Sequence, residues 1–272
     1  MNDKRRETTI TVPVDPYNPG EFLACCGLLE LAHRLTAPGC RALGWFSRSD
    51  GGSYSFSISA FDGGDPVTLE RVIDSLGKSR IEKGKSLSKE GPVLLEGPFN
   101  ITLDWRRPFP QNGKIKTFAG TQELFTICQT LHQAVQTFEK AELSDSPLFG
   151  IRKSTAKEVT AFGIERAENV IDAGFSMDTQ KGRLVRETSV FLELLALIGA
   201  QRFCPGDQKP DLVYYCWDVP LIAPLAAIAA SIPLNPFHQE GFVFQTYKRD
   251  PKGYYKGFKS AQRLKTKKGG NR

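Results

Sequence analysis

No Cys-x-x-Cys pair joins any of the six cysteines, Cys25, Cys26, Cys40, Cys128, Cys204 and Cys216, and no short regular spacing relates them. A disulfide framework or a structural zinc site would need such spacing, so free, mostly buried thiols in a reducing cytoplasm are expected, with no metal and no cofactor. Adjacent helical positions project about 100° apart, so Cys25 and Cys26 read as small packing residues and not as a bridge. Met1 to Thr9 is charged and polar, which excludes a secretory apolar region there. The uncharged run from Val219 to Leu234 is only 16 residues long and contains Pro220, Pro224 and Pro233. A membrane-spanning helix needs roughly 20 apolar residues, so a buried helix is expected and a membrane partner is not.

Catalytic signatures are equally sparse. The chain has no P-loop, no GxGxxG after a strand, no GxSxG and no HExxH. His33 and His132 fall in helical segments and read as packed residues, leaving His238 as the only other histidine. Asp104, Asp172, Asp178, Asp211 and Asp218 lie near element ends, so a metal-dependent nuclease is the rival reading, but no D-x-D or D…E-x-K constellation joins them. No catalytic residue is assigned, and a non-enzyme is expected.

What the chain does have is positive charge at one end. Its 272 residues carry a formal net charge of +6. Ten Lys or Arg against Asp250 give the stretch from Tyr247 to Arg272 a net +9, which leaves −3 for everything before it. Such asymmetry suggests an electrostatic arm for a polyanion. At 40% hydrophobic and 24% charged, the remainder has the composition of a globular protein with a substantial core.

Periodicity predicts an α+β fold. Thr9 to Val14 alternates as a strand, and Phe22, Cys25, Cys26, Leu29 and Ala32 recur on a helical face after the turn chemistry of Asn18, Pro19 and Gly20. "ALGWFS" and "SYSFSISAF" read as strands around the turn "RSDGG". Asp65 and Pro66 read as N-cap and first residue of a helix bearing Leu69, Val72, Ile73 and Leu76. A Lys/Ser-rich loop (Lys78 to Glu90) and an extended "PVLLEGPFNITLDW" complete a β-α-β-β-α-β, ferredoxin-like order. A helix-rich mixed α/β half follows. It holds a long helix from Thr121 to Glu142, a buried helix from Thr188 to Phe203, and strands at "LVYYCWDV" and "GFVFQTYK" around the proline-broken helix. The expected regions are 1–110, then 111–246, possibly continuous with the first, then a basic, partly flexible tail at 247–272.

Three segments mix cations with rings, as polynucleotide contacts require. Trp105 precedes Arg106 and Arg107, and Pro108, Phe109 and Asn112-Gly113 lead to Lys114 and Lys116. Asn112 could read an adenine edge there. Arg152, Lys153 and Lys157 form a second, smaller group, whose other reading is a solvated face. Lys248, Arg249, Lys252, Lys256 and Lys259 interleave with Tyr247, Tyr254 and Tyr255 in the third. A protein-interaction scaffold whose tail serves solubility is the other reading of that charge.

"VDPYNPGEFLACCGLLELAHRL", "LDWRRPFPQNGKIKTFAGTQELF" and "ETSVFLELLALIGAQRFCP" together resemble the small large-subunit-like Csb family of type I-U (I-G) CRISPR systems, over roughly Val12 to Lys259. The chain departs from the family at Arg106, where a second aromatic is usual, and at Phe118, where Trp is usual. The resemblance implies a subunit of the crRNA-guided surveillance complex (Cascade) of antiviral defence. Its expected partners are crRNA, target double-stranded DNA, the backbone subunit and the crRNA-processing, handle-binding subunit. It also implies protospacer-adjacent motif recognition, stabilisation of the opened duplex, and a separate helicase–nuclease recruited afterwards. In such a division of labour base pairing reads sequence while protein supplies backbone charge.

Overall fold

The computed structural model describes residues 7–37, 40–85, 91–105, 117, 123–139, 143, 147–154, 162–164, 175–178, 183–208, 211–234, 239–248 and 256–264. The fold is mixed α+β, as expected. Strand β1 (Ile10–Val14) buries alternate residues, which is what its apolar alternation dictates. Helix α1 (Pro19–Arg34) begins where a side-chain acceptor and a proline coincide. Asn18 Oδ1 accepts the Gly20 amide at 3.1 Å, and Pro19 occupies the first turn, where its missing N–H costs nothing. Strands β2 (Leu43–Arg48) and β3 (Tyr54–Ser59) form the anticipated hairpin, with Arg48 opposite Tyr54.

Two expectations fail just beyond it. Asp65 and Pro66 do not open a helix. They form β5 (Asp65–Pro66), paired with β4 (Phe61–Asp62). Gly63 and Gly64 adopt φ of 62° and 103°, a tight turn that keeps Asp65 and Pro66 extended. The cap is Thr68, whose hydroxyl accepts the Arg71 amide at 3.2 Å at the start of α2 (Leu69–Lys78). Val72, Ile73 and Leu76 are buried on the predicted face. The supposed loop after Lys78 contains β6 (Arg80–Lys83), and the extended stretch divides into β7 (Val93–Glu96) and β8 (Ile101–Leu103). Between them Gly97 (φ 109°) and Asn100 (φ 49°) turn the chain back.

Helix α3 (Leu124–Gln136) is shorter than the run predicted for it, since 137–139 leave the helix. A 3₁₀ turn (Leu148–Gly150) leads to β9 (Arg152–Ser154), β10 (Phe175–Asp178) and β11 (Arg183–Ser189). Helix α4 (Val190–Ala200) is buried on every side, as its apolar sequence broken only by Glu193 requires; Glu193 accepts the Gly163 amide at 2.9 Å, and Ser189 is the cap. The remaining elements are β12 (Gly206–Gln208), β13 (Asp211–Trp217), β14 (Leu221–Ile222), α5 (Ala223–Ser231), β15 (Gln239–Phe244), β16 (Thr246–Lys248), β17 (Lys256–Phe258) and β18 (Gln262–Arg263).

The ferredoxin-like order is present at the start of the chain, but its first sheet runs β1-β3-β2-β14, so the closing strand comes from the C-terminal half. Strands β6, β7 and β8 form their own sheet, and β12, β13, β15 and β18 another. One buried core connects all of this. Phe22 of α1 stacks on Tyr214 of β13 at 4.2 Å and on Phe46 of β2 at 5.7 Å. Trp217 donates its indole N–H to Gly44 O at 2.7 Å, and the Tyr214 hydroxyl donates to Pro16 O at 2.5 Å. These bonds satisfy polar atoms that would otherwise be stranded in an apolar interior.

The basic tail was expected to lose structure after Gly257. Through Leu264 it is instead built into the fold. β17 pairs with β16, β18 pairs with β15, and the Ala261 amide donates to Tyr17 O at 2.7 Å. Phe258 is the reason, because it is fully buried against Phe244 at 5.1 Å and anchors an otherwise polar segment.

Candidate nucleic-acid interface

Most of the nucleic-acid contacts expected from the sequence, Asn112 and the basic Arg106, Arg107, Lys114, Lys116, Lys157, Arg249 and Lys252, lie outside the described residues. Arg152 and Lys153 stand in β9, in register with Ser189 and Thr188. Lys248 and Lys256 are Cα partners across β16 and β17. Lys259 is exposed, with its amide donating to Gln245 O at 2.8 Å. One expected stacking ring is corrected. Trp105 is only 3% exposed and lies 5.4 Å from Phe162 at 21°, so it belongs to the core and cannot receive a base.

Two of the basic segments approach one cleft. Its volume is about 520 Å³, and its walls are the end of β1 with the following turn (Pro13, Asp15, Tyr17), the β2–β3 turn (Gly52, Ser53, Tyr54) and the 3₁₀ turn (Pro147, Phe149, Gly150). β9, with Arg152 and Lys153, starts two residues after Gly150. The tail reaches the opposite wall through the Ala261–Tyr17 bond, two residues from Lys259. Tyr17 is 38% exposed while its ring edge rests on Phe242 at 5.3 Å, so the phenol is held without being covered.

Beside Tyr54 stands a charge cluster that sequence reading missed. Glu240 Oε2 accepts the Tyr54 hydroxyl at 2.6 Å, and Oε1 accepts Arg263 Nη2 at 2.6 Å, with Arg48 Nη1 at 3.9 Å. The Arg48 guanidinium also lies over the Tyr54 ring, 5.4 Å from its centroid. Burial, then the hydrogen bond and charge of Glu240, push the Tyr54 phenol up to about 12 against the opposing pull of Arg48 and Arg263. It therefore stays a neutral donor at any ordinary pH. One carboxylate facing two guanidiniums leaves the Glu240 cluster net positive, while Asp15 and Glu21 put carboxylates on the wall of the cleft itself. The Arg48–Tyr54 pairing was latent in the "RSDGG" hairpin, since those residues flank the turn. Glu240 and Arg263 carried no such signal, because only tertiary folding brings them to the hairpin.

The acidic residues of the nuclease reading do not converge where they can be seen. Asp211 Oδ1 accepts Gln245 Nε2 at 2.6 Å, Asp218 is exposed, and Asp172 lies outside the described residues. Among the described residues no group of three or more His, Cys, Asp or Glu side chains is arranged to hold a metal ion. Nor is any helix there long and apolar enough to cross a membrane.

No protein-family model matches the chain, and neither a curated protein nor a solved structure gives a significant match.

Proposed function

We propose that this chain is a non-catalytic, nucleic-acid-binding subunit of a type I-U (I-G) CRISPR surveillance complex working in the cytoplasm. It helps to hold target DNA, to read the protospacer-adjacent motif and to keep the duplex open beside the crRNA. The observation that carries this reading is the net-positive cluster of Arg48 and Arg263 around Glu240 and Tyr54, at the edge of a cleft that Tyr17 and Tyr54 line, with the exposed Lys259 four residues before Arg263 in the chain. Cations at a rim meet phosphates, and held phenols offer faces and hydroxyls to bases and sugars. Membership of a larger assembly is supported by α5. There Leu225 and Ile228, three residues apart on the helix, and Ile232, just past its end, are 46%, 49% and 48% exposed. A lone aliphatic is ordinary on a surface, but a group of them is a docking feature.

The test is DNA capture by the complex reconstituted with its partner subunits, measured against salt. Each neutralised duplex phosphate contributes a log–log slope of roughly −0.9. The Arg48→Glu, Lys259→Glu, Arg263→Glu variant is expected to weaken capture and flatten that slope by about 2 to 3. An unchanged slope and affinity would remove the rim from the interface. Cleavage of DNA by the purified chain with Mg²⁺ would overturn the non-catalytic assignment.

A further inference from the structure

The first sheet has a second face. Helix α1 covers one side, where Phe22, Phe46, Phe56 and Trp217 pack together. On the other side the strand alternation aligns Thr11 and Pro13 of β1, Ser55 and Ser57 of β3, and Trp45 and Ser47 of β2. The shared face is confirmed by cross-strand hydroxyl contacts, Thr11 to Ser57 at 3.3 Å and Ser47 to Ser55 at 2.8 Å. Thr11, Pro13 and Ser47 are exposed, and Trp45 and Ser55 are half-buried. Ser57 is buried between its neighbours, and the aliphatics Leu43 and Ile222 of this face are confined to its β14 edge, so the open part bears hydroxyls and one large ring.

One cation borders it: Arg41, just before β2, is exposed and makes no ion pair among the described residues, whereas Arg48 alternates with Phe46 onto the α1 side and lies over Tyr54. The face is also continuous with the cleft, because Pro13 belongs to both. We infer that this outer face is a stacking platform for single-stranded RNA, with a base on the Trp45 indole, sugar hydroxyls on the Ser/Thr row and a phosphate reaching Arg41. The six residue steps from Arg41, just before β2, to Ser47 span about 20 Å if extended, the run of roughly three nucleotides. Hydroxyl side chains both donate and accept, as the ribose 2′-OH does, and that match favours RNA over DNA. The inference rests on the nucleic-acid reading above but concerns a different surface and a single strand.

Trp45 supplies its own reporter. Trp105 is 3% and Trp217 0% exposed, so Trp45 is the one indole a ligand can reach. Titration of the full chain with oligouridylate is expected to quench tryptophan fluorescence. Trp45→Phe should abolish the quench while keeping most of the affinity, because a ring remains and the fold is spared. Trp45→Ala should weaken binding about tenfold, in the range of one lost base stack. Arg41→Glu should weaken it too, and oligothymidylate should bind less well. Oligouridylate binding without any quench, or with full affinity in Trp45→Ala, would overturn the platform. If that binding were lost in Arg48→Glu, Arg263→Glu, the rim reading would stand without the platform. Equal affinity for oligothymidylate would overturn the RNA assignment. No binding of any oligonucleotide, single or duplex, would overturn the platform and the broader reading together.

Discussion

Gly27 of α1 and Gly199 of α4 face each other across a helix crossing so close that a methyl group on either would enter the other's backbone. A Cβ on Gly27 would lie 2.0 Å from Leu195 O, and one on Gly199 would lie 2.1 Å from Leu23 O and 2.6 Å from the Gly27 nitrogen. Backbone therefore meets backbone between α1 and α4, and the Pro16 wall of the cleft is tied to α1 through Tyr214, which stacks on Phe22 and donates to Pro16 O.

The crossing reverses a familiar rule. In an exposed helix interior Gly→Ala stabilises by about 1 kcal/mol. Here Gly27→Ala and Gly199→Ala are each expected to destabilise by about 3 kcal/mol, because the helices must separate to admit the methyl. Urea unfolding measures it. A midpoint at or above the wild-type value in either variant would refute the backbone-to-backbone contact.

Glu30, nearly buried, ties the same helices together electrostatically. It accepts Arg34 Nε at 2.7 Å and Arg202 Nε at 2.6 Å, while Arg34 also donates to Phe99 O at 2.7 Å. Glu30→Ala leaves two guanidiniums without their carboxylate. The expected loss is about 2 kcal/mol, below the usual cost of breaking a buried pair because both arginines remain about a third exposed. Arg202→Ala should cost less, since Arg34 would still neutralise Glu30. Equal losses in the two variants would show that Glu30 does not act as the shared centre.

Acid should weaken the fold in two stages. His132, buried with Nε2 donating to Leu76 O at 2.8 Å, is held below its ordinary 6.5 by burial, which outweighs that hydrogen bond. The unfolded chain therefore takes the proton first, and stability full above 6.5 is lost as pH falls beneath it. For Glu30 burial pushes upward, but hydrogen bonds from Arg202 and Arg34 prevail and hold it below its ordinary 4.5. Its contribution is present above 4.5 and disappears as pH falls through the folded value. Urea midpoints should thus fall between about pH 7 and about pH 5, with His132→Gln flattening that step and Glu30→Gln the next one down. A midpoint that rises on acidification would contradict both assignments.

The thiols should divide by burial. Cys25, Cys26, Cys128 and Cys216 are buried, and burial pushes each thiol upward, away from the reactive thiolate. Cys40 and Cys204 are half-buried. An aromatic disulfide reagent should modify only those two in the native protein and all six in denaturant. Rapid native reaction of Cys25 or Cys26 would show that α1 opens far more readily than its packing implies.

Much of the framework could be read without coordinates. Ile10 to Val14, Phe22 to Ala32 and Val190 to Ala200 declare themselves because an apolar period of two, of 3.6, or none at all maps directly onto one buried face or all of them. The Asp65–Pro66 cap was misread because helix-start residues carry the same local chemistry in a tight turn, and only the glycine pair before them decides which prevails.

Local sequence alone thus determined the strongly periodic elements and the concentration of positive charge toward the C-terminus, since each follows from residue type and spacing within a few positions. Which aromatic faces solvent, which strand closes the first sheet and which arginines share Glu240 were decided only by tertiary packing. Trp105 and Trp45 look alike in sequence, yet one is stacked on Phe162 in the core and the other lies on an open sheet face. Burial depends on what arrives from distant parts of the chain, and no local pattern encodes that arrival.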